Sequence, residues 1–460
     1  MRLTLCVIAR DEEENLPRCL ASVSEVVDEI VVVDTGSRDR TREVAEAAGA
    51  RVAFYLWDGS FSAARNLALD LATGDWVLML DADEELHPGD RDSIRPLLAG
   101  EAEGYFFTVL SYLGPRPGAD VLRDARLCLF RRRPGYRYER RLHEDIAGSI
   151  LSARPGAVLA HAAVRVLHYG YLDPSLARRA KAERNRAVLL AALRETPDDP
   201  FLLYSLAAEA MGQGEAAMAL DLLREAGRRA DRGAPWYPDW VKKTAVCLIE
   251  LGRLDEAREV LNHGVEAFRD FTDLRFLLGV LHVRRGDTGE AEACFEECLR
   301  LGEAPVGYAS WEGVGTFRAW AALGSLAESR NDYQAAVRCY AAALSQRHDF
   351  GPALGRLCRI LARVAPRQAT AWIARYFDLS HEATAITLAR VLEAAGAPGL
   401  AGRVLRVALN VTGRAGTPAL AAGFAALRRR QAAAWLGGPV PGRPPHTDPP
   451  SVPRRASGVP

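Results

Sequence analysis

Over the first 172 residues, short apolar runs alternate with amphipathic stretches. Residues 3–9 (LTLCVIA) are continuously apolar, as in a buried strand, and residues 15–27 follow with Leu16, Cys19, Leu20 and Val23 at helical spacing. The alternation repeats: strand 29–34 (EIVVVD), helix 39–50 closing on Gly49, strand 51–57, helix 62–74 ending at Gly74, strand 76–80 (WVLML). Strands apolar on both faces, alternating with helices, predict βαβ units and a mostly parallel sheet. Residues 104–113 and 125–132 read as further strands, and 156–171 as a strand region closing the sheet. From about 175 onward the strand signal disappears, and Ala, Leu, Arg and Glu recur with helical period.

The helical half repeats itself. Four segments, 212–226, 250–264, 284–298 and 329–343, each carry a turn and then a small residue at a fixed place: Ala219, Ala257, Ala291, Ala336. Four positions on stands a large apolar residue (Leu223, Leu261, Phe295, Tyr340), and three further another small one (Ala226, Gly264, Cys298, Ala343). Small residues let two helices approach, and the large one fills the gap between them. The unit resembles the tetratricopeptide repeat, whose period is about 34 residues. A weaker fifth unit is expected at 387–409. The last 25 residues, rich in Pro and Gly, are expected to be disordered. The expected domains are therefore 1–175, 176–435 and a tail at 436–460.

Composition narrows the classes. Lys plus Arg and Asp plus Glu number 59 each, so the basic excess of a general nucleic-acid binder is missing. Eight cysteines without CxxC spacing fit neither a disulfide framework nor a zinc site, and suit a reducing compartment. The N-terminal apolar run is short and acids follow at once, unlike a signal peptide. No stretch reaches the roughly 18 apolar residues of a membrane span. The expected location is the cytoplasm.

The chemistry gathers where the strands end. In an open parallel sheet, ligands sit at the carboxyl ends of the strands. Here those ends read ARDEEEN, DTGSRDRT, WDGSFSAARN and DADEE. Asp34 ends the second strand, Gly36 permits a tight turn, and Ser37 and Asp39 are placed to cap the helix at Thr41. Arg65 and Asn66 lie in the first turns of a helix, where a guanidinium fork suits a diphosphate. Asp81 and Asp83 flank Ala82 at the end of the fourth strand, a pattern suited to a hard divalent cation shared with phosphates. Glu84 and Glu85 are expected to open the next segment in solvent. The absence of GxGxxG disfavours a dinucleotide site.

These residues together resemble the family 2 glycosyltransferases of the GT-A fold, closely over residues 1 to about 110: VIARDEEENLPRCLASV, VDEIVVVDTGSRDRT, FSAARNLAL and ATGDWVLMLDADEEL. RRLHED (140–145) and VLHYGY (166–171) are similar to the branch holding lipopolysaccharide-core glucosyltransferases and bacteriocin S-glycosyltransferases, which often carries tetratricopeptide repeats. The resemblance implies an α/β GT-A domain before an all-α repeat domain. It also implies inverting transfer of a sugar, a hexose, from a nucleoside-diphosphate donor such as a UDP-sugar, assisted by Mg²⁺ or Mn²⁺. It places Ala9, Arg10, Glu12 and Asp34 near the nucleotide, Arg65 near the diphosphate, and Asp81 and Asp83 at the metal. The base that deprotonates the acceptor is Glu144 or Asp145. Glu144 is favoured, because the branch reads His-Glu followed by a variable polar residue. His168 is a candidate further metal ligand, and Tyr169 and Tyr171 are candidates for the acceptor entrance.

The repeats are candidates for holding a peptide or protein acceptor, a partner, or a second copy of the chain; a saccharide acceptor stays open. Residues 100–140 are generic and support no particular sugar. Two rivals are a non-catalytic repeat adaptor beside a degenerate transferase domain, and a nucleotidyltransferase. Intact Asp81, Asp83, Arg65 and Glu144 argue against the first. An acidic rather than glycine-rich basic N-terminal loop argues against the second.

Overall fold

A computed structural model describes residues 1–411, apart from 115–116, 119, 173–175, 365–368, 378, 381 and 395, together with residue 425. The expected disordered tail, 436–460, lies outside the described residues. The N-terminal elements are β1 (Leu3–Ala9), α1 (Leu16–Val23), β2 (Glu29–Asp34), α2 (Thr41–Ala47), β3 (Arg51–Phe54), α3 (Phe61–Leu71), β4 (Trp76–Asp81), β5 (Glu84–Leu86), α4 (Ile94–Leu97), β6 (Gly104–Leu113), β7 (Asp120–Arg131), α5 (Ala147–Ala153) and β8 (Leu159–His168).

The sheet runs β3-β2-β1-β4-β7-β6-β8-β5. The first four strands are parallel, as their unbroken apolar runs predict. Their side chains alternate between two cores. Leu3, Leu5, Val7, Val32, Leu78 and Leu80 pack with Leu16, Cys19, Leu20 and Val23 of α1. Cys6, Val31, Val33, Val77 and Met79 pack with Ala64, Ala68 and Leu69 of α3. Beyond β4 the sheet is mixed rather than mostly parallel. β7 runs antiparallel to β4 and forms a long hairpin with β6, β8 pairs parallel with β6, and β5 runs antiparallel to β8. A hairpin needs no crossover helix, so it escapes the strand–helix alternation that exposed the first half.

Helices follow: α6 (Leu176–Glu195), α7 (Pro200–Gly212), α8 (Ala216–Arg229), α9 (Tyr237–Glu250), α10 (Leu254–Ala267), α11 (Thr272–Arg285) and α12 (Thr288–Leu301). Then come the two-residue β9 (Ser310–Trp311), α13 (Phe317–Ser329), α14 (Tyr333–Gln346), α15 (Gly351–Val364), α16 (Ala369–Tyr376), α17 (Glu382–Ala394) and α18 (Pro398–Val411). The repeating small and large positions are all buried, on α8, α10, α12 and α14. A Cβ on Gly279 of α11 would lie 2.6 Å from the Phe295 ring of α12, so glycine there is what admits the large repeat residue.

The spacing between equivalent alanines rises to 45 at Ala291–Ala336 because the chain leaves the helices there to form β9. β9 pairs with β7 of the sheet, Trp311 against Leu122 and Ser310 against Arg123. On the helical side, buried Asp273 accepts from Ser310 Oγ (2.6 Å) and from Trp311 N (2.9 Å). Met1–Asp332 accordingly forms one compact unit, and the chain from Tyr333 forms a second. In the second, Ala336, Tyr340 and Ala343 of α14 are buried, and α17 packs on α18 as the weak fifth unit.

Candidate active site

The carboxyl ends of β1, β2 and β4 lie side by side, with Ala9 opposite Asp34 and Ile8 opposite Asp81. The acids of ARDEEEN hold the neighbouring loop. Asp11, at φ 56°, donates its N–H to Ser37 Oγ (3.0 Å) and accepts from Arg38 N (2.7 Å). Glu12 N donates to Thr41 Oγ1 (2.8 Å), and Glu13 N to Asp39 Oδ2 (3.0 Å). Asp39 accepts from Thr41 N (3.0 Å) as expected, whereas Ser37 braces Asp11 instead of capping α2. Asp34 is buried and accepts from Ser37 N (3.0 Å) across a turn in which Gly36 sits at φ 105°. Glu12 also accepts from Asn15 Nδ2 (2.8 Å), and half-exposed Arg10 lies 3.9 Å from Asp11.

Arg65 organises the centre. Only 7% exposed, its guanidinium donates to Asp81 Oδ1 (2.7 Å) and to Glu144 Oε1 (2.5 Å). Asp81 Oδ2 accepts from Arg126 (3.0 Å) on β7. Burial works against the charge of Asp81, but Arg65 and Arg126 outweigh it and hold the carboxyl well below the usual carboxylate range. Glu84 and Glu85 are not in solvent. Glu84 is fully buried: Oε2 accepts from Asp81 N (2.9 Å) and from Arg126, and Oε1 is enclosed with no hydrogen-bond partner among the described residues. Burial raises its carboxyl against the pull of Arg126. Glu85 accepts from the Tyr169 hydroxyl (2.8 Å). The chain re-enters the sheet as β5 straight after the turn, so period two sends Glu84 inward.

Asp83 is buried, and its Oδ2 lies 3.5 Å from His168 Nε2. Ser111 Oγ contacts His168 Nδ1 at 3.1 Å and orients the ring. Tyr171 lies edge-on to His168 at 5.0 Å, and Tyr112 edge-on to Tyr169 at 5.2 Å. A carboxylate and an imidazole at this separation fit a hard cation that takes its remaining ligands from phosphates and water. Among the described residues no group of three or more His, Cys, Asp or Glu is arranged to hold a metal ion, so a cation here would depend on the phosphates and water for most of its ligands.

Glu144 sits on a loop clamped on several sides. Glu139 and Asp145 exchange backbone bonds (3.0 and 3.3 Å), Arg141 O accepts from Phe61 N (2.8 Å), and Leu142 is buried with α6 and α7. Arg140 and His143 adopt positive φ of 70° and 53°. Asp145 accepts from Ala147 N and Gly148 N (3.1 Å each), a helix-capping arrangement. The structure thus gathers Arg65, Asp81 and Glu144 in one network, sets Asp83 with His168, and leaves Ala9 and Asp34 at the ends of β1 and β2 with Arg10 and Glu12 on the loop after β1. Sequence reasoning missed Arg126. It reaches Asp81 only because the β6–β7 hairpin folds back beside β4, a contact across 45 residues with no local motif.

Residues 4–145 match the Glycosyl transferase family 2 model, and residues 210–273, 272–303 and 319–354 match tetratricopeptide repeat models. The chain carries a family 2 glycosyltransferase domain followed by tetratricopeptide repeats, which agrees with the resemblance seen in its motifs.

Among its relatives, a TPR repeat-containing protein of Synechococcus elongatus is 40% identical over 51% of this chain and 58% of its own. An uncharacterized glycosyltransferase of Rickettsia felis is 36% identical over 21% of this chain and 34% of its own. The SPbeta prophage-derived glycosyltransferase SunS of Bacillus subtilis is 24% identical over 48% of this chain and 52% of its own. The chain thus spans between a third and three fifths of the length of these relatives. Among the described residues, no helix is long and apolar enough to cross a membrane.

Proposed function

We propose that the protein is an inverting glycosyltransferase. It moves a sugar, a hexose, from a nucleoside-diphosphate donor such as a UDP-sugar to a peptide, protein or saccharide acceptor in the cytoplasm. The observation that supports this most is the single network in which Arg65 joins Asp81, at a strand end, to Glu144, on a loop 63 residues further along the chain. Those are the two functions transfer needs side by side: a donor site and a base.

In this reading Ala9, Arg10, Glu12 and Asp34 surround the nucleotide, and Arg65 and Asp81 face the sugar diphosphate. Glu144 takes the proton from the acceptor as the acceptor atom bonds to the anomeric carbon. The bond from that carbon to the diphosphate oxygen breaks on the opposite face, so configuration inverts. Asp145, one residue on, is the alternative base. Asp83 and His168, with Asp81, would hold Mg²⁺ or Mn²⁺, which when bound neutralises diphosphate charge. Arg126 secures Asp81 and Glu84 beneath them. The repeats present the acceptor or pair two copies of the chain.

A thermal-shift screen of UDP-, GDP- and dTDP-sugars, with and without Mn²⁺, tests the donor site. At least one nucleotide should raise the melting temperature of the wild type in a metal-dependent way, and a D81N/D83N variant should lose that gain. A wild type stabilised by none of them refutes the proposal.

A further inference from the structure

The site described so far uses residues up to Tyr171. One more cation reaches it from the helical region. α6 buries Val188, Leu189 and Ala192 in a cluster with Leu142, against which Trp57 and Phe61 pack. Arg184 stands four positions before Val188, one turn along the same face. Its neighbours turn towards the repeats, Asn185 to Glu209 (3.0 Å) and Arg186 to Glu215 (3.1 Å). Arg184 instead lies over the Phe61 ring, with its guanidinium carbon 5.1 Å from the centroid, at the first residue of α3.

Two features of Arg184 are unexplained by packing. Its Nε is shut off from solvent and has no hydrogen-bond partner among the described residues; its one hydrogen bond there runs from a terminal nitrogen to Asn185 (3.2 Å). An enclosed donor left unmatched is destabilising. Among the charged groups acting on it are Arg10, Glu12, Asp83 and Glu209, three of which belong to the strand-end loops of the site. Burial, and then the like charge of Arg10, lower its hold on its proton. A bound anion would relieve both the repulsion and the unmatched donor.

We infer that Arg184, carried on the first helix of the repeat half, completes the binding site for the donor's diphosphate, where its planar fork can take two phosphate oxygens. This rests on the glycosyltransferase reading. It makes the helical half part of the donor site as well as a platform for the acceptor.

Calorimetric titration of the full chain with UDP, GDP and dTDP in the presence of Mn²⁺ tests it, using the wild type, R184A, R184K and R186A. R184A should weaken the nucleoside diphosphate that the wild type binds by about ten- to hundredfold. R184K, which keeps the charge without the fork, should fall in between, and R186A should match the wild type. R184A binding as tightly as wild type, or R186A weakening as much as R184A, overturns the role of Arg184 while leaving the transferase reading intact. A wild type that binds no nucleoside diphosphate overturns both.

Discussion

At the scale of single residues, the acids at the strand ends differ in what each is bound to. Asp81 is compensated by two guanidinium groups, Asp83 lies 3.5 Å from an imidazole, and Glu84 is buried with one oxygen that has no hydrogen-bond partner among the described residues. This separation has a pH signature. The carboxyl of Asp81 is depressed in the folded protein, so its charge stabilises the fold above the ordinary carboxylate range. As pH falls through about 4 and below, the unfolded chain takes up the proton first and that stability is lost. Thermal melts of wild type and D81N from pH 7 to pH 3 should therefore converge as pH falls. A gap in melting temperature that stays constant across that range would show that Asp81 is not held by Arg65 and Arg126 as described.

Among the elements, β9 has a role its two residues do not suggest. It joins the β6–β7 hairpin, which carries Arg126, to the helices that bury Asp273. Arg318 pairs with Asp120 at the start of β7, and Arg123 with Glu303 (3.3 Å) just after α12. The segment turns back on itself so tightly that a Cβ on Gly315 would lie 2.0 Å from the Gly302 carbonyl. Because the obstacle is backbone, it cannot rotate away. G315A should lower stability by about 2 kcal/mol or more in urea unfolding. A midpoint unchanged from wild type would mean that the segment is not packed this closely.

The same elements show what the sequence could reveal. Three of the parallel strands, β1, β2 and β4, were legible because both of their faces are largely buried, so each reads as an unbroken apolar run, whereas β3 at the edge of the sheet is half-exposed. The repeats were legible through Ala219, Ala257, Ala291 and Ala336, whose packing demands recur. Arg126, Glu84 and β9 were not legible, because each depends on segments distant in sequence: a hairpin folding back, a strand re-entering the sheet after a turn, and a loop leaving the helices. No local period records such contacts. Where Glu144 would meet Arg65 was open for the same reason, although its motif was visible.

Considered as a whole, the unit Met1–Asp332 is not a catalytic domain with a detachable helical tail. Leu142 and Phe61, which frame the Glu144 loop, cluster with residues of α6 and α7, and β7 pairs with a strand from beyond α12. A chain ending at residue 175 should consequently melt at a lower temperature than the same region in the full chain, and should bind nucleoside diphosphate more weakly. A truncated chain equal to the full one in both measurements would show that the helices contribute nothing to the site.

In the proposed function the strand-end carboxylates and Glu144 form one site for glycosyl transfer. Its most direct test is release of nucleoside diphosphate from a panel of nucleotide sugars, measured for wild type and E144Q alongside donor binding. Wild type should turn over at least one donor, and E144Q should bind that donor normally while turnover falls by about 10²–10⁴-fold. Unchanged turnover in E144Q, or none in the wild type with any donor, would contradict the account.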